Sequence, residues 1–280
     1  MKLLKLIPCA LLIAAGLQGS AQGLKMPQAS SSQTLTQEFG LGGIKIQYSR
    51  PNMKGRKIFG DLVPWDQVWR TGANSATTIT FTDDVRLEGN AVPAGQYGLF
   101  TIPGKTEWTI ILNKKAQQWG AYEYDQAQDF LRFTVKPVTG GKKTESFSIS
   151  ITDVMPTSAV LHLSWDTYDV PVRMTTEVDS KVMANIEAAM KGDNKPYFQA
   201  AQYYYDNGKD ISKALEWVNQ AESADQKAPW IKYLKARIQL KAGDKKGAAA
   251  TAEEGVKIAR ESNNEEYVRL NAAILAQARK

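Results

Sequence analysis

Arg50, Lys54, Arg56 and Lys57 place four cations within eight residues with no acid among them, and Arg70 and Asn74 follow downstream. A guanidinium presents a fixed fork of N–H donors that matches the paired oxygens of a carboxylate, sulfate or phosphate. Gly55, Gly60 and Gly72 allow close approach to the backbone. The segment from Arg50 to Asn74 therefore reads as an anion- or sugar-binding loop pair, with Arg50, Lys54, Arg56, Arg70 and Asn74 as its contacts. The competing reading is a long structural loop tied down by arginine–backbone hydrogen bonds, with Trp65 and Trp69 plugging the core. Trp119 and Tyr122, set among glutamine and glycine, are the aromatic side chains expected to stand exposed as ligand platforms.

Catalytic groups are sparse. His162 is the only histidine, so neither a histidine metal cluster nor a paired-histidine site can form. It alternates with Leu161 and Leu163 on a strand pattern, and no neighbouring motif supplies an activated serine. Asp83-Asp84 suits a strand end. Glu123, Asp125 and Asp129 follow an aromatic run and could serve a carbohydrate hydrolase if two of them were suitably spaced. Two phosphate-loop look-alikes fail: Gly60 is followed by Asp61-Leu62 rather than Lys and Ser/Thr, and Gly141-Lys142-Lys143-Thr144 lacks the earlier glycine and reads as a hairpin turn. No cofactor and no metal are implied.

The elements that must position these residues change character near residue 176. Before it the period is two: Ile44, Ile46 and Tyr48 alternate with polar residues, as do Phe147, Ile149 and Ile151, while Trp108, Ile110 and Leu112 belong to a strand with two apolar faces. Further strands are predicted at 77–81, 96–102, 130–135, 160–165 and 170–174, separated by glycine- and proline-bearing turns. Roughly nine such strands indicate an antiparallel sandwich or barrel. After Met174 the period becomes helical. Val178, Val182, Met183, Ile186, Ala189 and Met190 share one face, and Gly192-Asp193-Asn194 ends that helix. Ala201 and Gly208 then recur as Ala236 and Gly243, and Ala214 and Ala221 as Ala248 and Gly255. Such a helix-turn-helix period resembles the tetratricopeptide repeat, whose Leu-Gly pair is absent here; Trp230 stands near the second unit's start. The expected class is multidomain, all-β followed by all-α.

One set of motifs is unlike ordinary sandwich sequence. It comprises Tyr48-Ser49-Arg50-Pro51-Asn52-Met53-Lys54-Gly55-Arg56-Lys57-Ile58-Phe59-Gly60, Leu62-Val63-Pro64-Trp65, Val68-Trp69-Arg70-Thr71-Gly72-Ala73-Asn74, the run from Pro93 to Pro103, and Gln118-Trp119-Gly120-Ala121. Together these resemble the bacterial family catalogued as domain of unknown function 2911, over roughly residues 27–174. The resemblance implies an exported protein but no activity. Some relatives carry the label asparagine synthetase B, which this chain contradicts: a glutamine-dependent amidotransferase needs an N-terminal cysteine nucleophile.

The only cysteine is Cys9, and it falls inside a secretory signal pattern. Lys2 and Lys5 precede an apolar stretch to Leu17, and Gly19-Ser20-Ala21 offers a cleavage site. Cys9 follows Pro8 and sits too early for a lipidation site. The expected boundaries are a signal peptide over 1–21, a flexible lead-in over 22–32, a β-rich domain over 33–176 and a helical domain over 177–280. The expected location is periplasmic or secreted, with no transmembrane anchor. Removing Lys2 and Lys5 leaves 33 basic against 29 acidic groups. Residues 22–176 carry 16 and 14, and residues 177–280 carry 17 and 15, so no nucleic-acid footprint is present. The residues point to a non-enzymatic binding or scaffold protein, holding a polar or anionic glycan on the β domain and a protein or peptide partner on the helices. A carbohydrate-directed periplasmic hydrolase is the alternative.

Overall fold

A computed structural model describes residues 26–280. The signal pattern over 1–21, with Cys9, lies outside the described residues. The chain divides into two compact units, the first ending at Thr176 and the second beginning at Glu177.

Among the described residues the first unit holds ten strands in two antiparallel sheets. They are β1 (Ser31–Phe39), β2 (Gly42–Arg50), β3 (Thr77–Phe81), β4 (Val85–Leu87), β5 (Asn90–Val92), β6 (Gly95–Pro103), β7 (Trp108–Asn113), β8 (Asp129–Val135), β9 (Val138–Thr152) and β10 (Ser158–Thr175). One sheet runs β1-β2-β3-β6-β7-β8 and the other β5-β4-β10-β9. Period-two patterning decides which face each residue takes. Ile44, Ile46, Ile79, Phe81, Leu99, Ile110 and Leu112 of the first sheet share one core with Phe147, Ile149, Leu161, Leu163 and Val172 of the second. The segment between β2 and β3 adds Phe59 and Trp69 to that core. Trp69 stacks on Trp165 with ring centroids 5.8 Å apart and 16° between planes, and meets Phe147 edge-on at 5.1 Å.

Three features depart from the sequence reading. β1 begins at Ser31, inside the stretch read as a flexible lead-in, and was not among the predicted strands. Gly140-Gly141, expected to turn, lies within the continuous strand β9. The separate strands expected at 160–165 and 170–174 are one strand, β10, whose pairing with β9 shifts register on either side of Asp166.

The second unit contains α1 (Asp179–Ala189), α2 (Tyr197–Asp206), α3 (Ile211–Ala224), α4 (Pro229–Lys241), α5 (Lys245–Glu261) and α6 (Glu265–Ala278). Asp210, Asp244 and Asn264 cap α3, α5 and α6 by accepting backbone N–H bonds. Ala201, Ala214, Ala236 and Ala248 are fully buried, so the recurring small residues stand where helices touch. No described helix is long and apolar enough to cross a membrane.

Candidate functional site

The outer face of the six-stranded sheet is polar, with Lys45 as its outward charge on β2. Thr34 on β1 stands opposite Gln47 on β2, Gln47 opposite Thr78 on β3, and Thr80 opposite Gln96 on β6. The next outward position on β6 is Gly98. A Cβ there would lie 3.0 Å from the Phe100 ring and 3.1 Å from the Lys115 carbonyl, so the glycine lets the loop after β7 settle onto the sheet. Ala76, Phe100 and Ile111 form a small apolar patch with Ala121 and Tyr124 that fastens this loop. Backbone bonds clamp it further. Ala76 N donates to Gln118 O at 2.9 Å and Gly120 N to Asn74 O at 3.1 Å, with a one-rung bridge between Ser75 and Trp119.

The result is an open groove of about 550 Å³ between the strand residues and the loop. Among the described residues, its walls are serine, threonine and glutamine side chains with Ala76, Tyr48 and Trp119, and none carries a charge. Trp119 is 65% exposed although its backbone is fixed. Gln47, Gln96 and Gln117 make no side-chain hydrogen bond among the described residues and offer both amide donors and acceptors. Gln118 is buried, donates to Lys115 O at 2.6 Å, and keeps an Oε1 with no donor. Tyr122 is also exposed and lies against Gly120, where a Cβ would come within 2.7 Å of its ring.

The cations from the β2–β3 segment are divided among several tasks. Arg50 Nε donates to Phe147 O at 3.0 Å and Nη2 to Ser148 Oγ at 2.6 Å, tying β2 to β9. Arg56 donates to Met53 O and Asn52 O, closing its own turn. Lys54 is exposed, and its backbone N–H donates to Glu145. The Arg70 side chain makes no hydrogen bond or ion pair among the described residues, and its Nε is buried; its backbone carbonyl accepts from Thr77 N at 3.1 Å. Asn74 reaches Ser49 Oγ and Ser30 O, both at 3.4 Å. The structure thus puts Trp119 on the groove and Asn74 behind it, holding the Trp119 loop through Gly120, while Arg50 and Arg56 make backbone hydrogen bonds. Arg50→Ala is expected to lower stability by about 1–2 kcal/mol, measured by denaturant unfolding, with ligand binding at the groove unchanged.

The sequence model of the family described as protein of unknown function (DUF2911) matches residues 30–174. The chain belongs to this family. The match covers the β unit apart from its first described residues and its last two, and places the groove and the arginine segment inside the DUF2911 domain. No curated protein and no solved structure matches the chain.

Within the DUF2911 domain the carboxylates singled out by sequence are occupied. Glu123 accepts from Lys115 Nζ at 2.6 Å, and that hydrogen bond and charge push its pKa down, the opposite of what a general acid requires. Asp125 caps the 3-10 turn over 126–128. Asp129 accepts from Asn113, Tyr124 and Arg132. His162 Nδ1 lies 2.8 Å from Asp169 Oδ2 and Nε2 lies 3.0 Å from Thr152 Oγ1. Asp169 also accepts from Ser164 at 2.6 Å, and Thr152 donates to Asp153 at 3.1 Å. Thr152, His162 and Asp169 thus form a line of polar contacts across β9 and β10, with Asp153 a further partner of the Thr152 hydroxyl.

Proposed function

We propose that the protein is an exported, non-enzymatic binding protein whose β unit holds a neutral glycan in the groove beneath Trp119. The groove carries this reading: free amides and hydroxyls line it, an exposed indole flanks it, and charge is absent. Sugar hydroxyls both donate and accept, which suits glutamine and threonine, and the apolar face of a pyranose suits an indole. A neutral lining argues for an uncharged ligand over the anionic one that the arginine-rich segment suggests, since no groove residue would offset a ligand charge. The secretory pattern at the N-terminus supports a place in the cell envelope or outside the cell. The helices supply a second surface suited to protein contact, where Arg237 stacks on Tyr205 and Tyr233 at 4.5 and 5.2 Å.

Native gels cast with soluble neutral polysaccharides (α- and β-glucans, mannan, xylan, galactan) test this. The wild-type chain is expected to be retarded by at least one of them, and Trp119→Ala to weaken binding at least tenfold with an unchanged melting temperature. Binding should also be insensitive to added salt, because no ion pair is made. Free migration in every gel, or equal retardation of Trp119→Ala, would remove the proposal.

A further inference from the structure

Three of the four sheet edges carry features that discourage pairing with another chain. β5 has three residues. β9 contains Lys142 and Lys143, and its ladder is broken by register shifts. β8 holds Arg132, pairs through a register shift at Asn113 and runs into Lys136-Pro137. Short edges, bulges, lysine and proline are the usual means of blocking edge-to-edge association.

β1 has none of them. It is nine residues long, pairs with β2 in unbroken register from Ser31 to Phe39, and contains one charged residue, Glu38, near its end. Among the described residues its free edge has no strand beside it. The strand also contains the palindrome Gln33-Thr34-Leu35-Thr36-Gln37. An antiparallel pair of identical strands related by a two-fold axis at Leu35 sets Leu35 against its own copy, Thr34 against Thr36 and Gln33 against Gln37. The two half-buried glutamines and Leu35 stay on the inner face, and the exposed threonines stay on the outer one, so no side chain is forced to change face. Threonine pairs across strands are favourable, and no like charges meet.

We propose that β1 is a self-association edge: two copies of this chain pair through Ser31–Phe39 about a two-fold axis at Leu35, joining two six-stranded sheets into one. The interface is isologous and closes at two copies, since each chain uses the one open edge of this kind among the described residues. Ser32 and Thr34 also line the groove, so the grooves of the two copies flank the seam.

Analytical ultracentrifugation of the purified chain over a wide concentration range tests the assignment. The wild type is expected to show a monomer–dimer equilibrium. Thr34→Lys/Thr36→Lys places lysine opposite lysine at both flanking positions and should weaken the dimer at least tenfold. Thr34→Glu/Thr36→Glu should do the same, and an equimolar mixture of the two variants should restore a dimer containing one of each. A monomeric wild type, a lysine variant that dimerises normally, or a mixture that stays monomeric would each overturn the proposal. If either double variant fails to fold, Leu35→Cys in a Cys9→Ser chain provides a second test. Treatment with diamide should link Leu35→Cys to its symmetry mate but leave Thr34→Cys unlinked; absence of that difference would also overturn it.

Discussion

Trp69→Ala is expected to cost the β unit about 4 kcal/mol, the middle of the range for removing a buried aromatic. Trp69 is 8% exposed and contacts rings from several elements. Phe59 and Trp108 lie 6.2 and 6.4 Å away, both edge-on, and Phe147 and Trp165 complete the shell. Its indole N–H donates to Gly72 O at 3.1 Å, and its backbone exchanges two hydrogen bonds with Thr101. Alanine keeps the backbone rung but leaves a cavity between rigid rings that cannot collapse into it, and the cavity adds to the lost transfer energy. Trp69→Phe should cost roughly half as much, since most of the ring contact survives while the Gly72 bond is lost. Denaturant unfolding followed by near-ultraviolet circular dichroism measures both. A loss below about 1 kcal/mol for alanine would mean that the aromatic cluster is not the centre of this core.

That cluster illustrates what the sequence could and could not convey. β3 was legible because one period-two phase runs through it, and β6 and β8 because runs of apolar and β-forming residues are bounded by turn residues, although both faces of β6 are buried. β10 was not, because its inward residues are Leu161, Leu163 and Trp165 and then Val170, Val172 and Met174. The parity flips, and on sequence alone a flip looks like two strands. The flip is absorbed at Asp166, which adopts a left-handed φ of 53° between two register shifts. β1 escaped notice for a different reason: as an edge strand it turns Gln33 and Gln37 inward, so its hydrophobic alternation is weak. The groove was hidden in the same way. Gln47, Thr78 and Gln96 occupy outward positions where any polar residue satisfies the pattern. The available signal was that they are uncharged, whereas an ordinary solvated face is rich in lysine and glutamate. The arginine cluster drew attention because it is dense in sequence. In space Arg50 and Arg56 turn to carbonyls of β9 and of their own loop, and no spacing rule distinguishes a guanidinium aimed at backbone from one aimed at a ligand.

Lys232→Met is expected to cost the helical unit about 3 kcal/mol, because it breaks a buried ion network instead of replacing it whole. Lys232 is 4% exposed on α4, and its Nζ lies 2.8 Å from Glu222 on α3 and 2.7 Å from Glu254 on α5. Glu222 also pairs with Lys235 at 2.5 Å. Methionine fills much of the same volume, so the loss reports charge and not packing. Glu222 keeps Lys235 as a partner, which holds the cost at the lower end of the range for a broken buried pair. The network also sets a pH window. Burial alone would raise the Glu222 pKa, but hydrogen bonds from Lys232 and Lys235 outweigh it and hold the group below its ordinary 4.5. Its contribution to stability is therefore complete above that value and is lost as pH falls through the lower folded one. Burial would likewise depress Lys232, yet Glu222 and Glu254 hold it above its ordinary 10.5. That contribution is complete below 10.5 and disappears as pH rises through the folded value. The stability difference between wild type and Lys232→Met should thus be flat across neutral pH and should narrow at both extremes, at the acid end because a protonated Glu222 no longer misses its lysine. Denaturant midpoints for the two proteins across a pH series give that difference directly. A gap that persists undiminished once pH has fallen through the lowered folded value of Glu222 would show that the methionine disrupts helix packing and that the ion network contributes little.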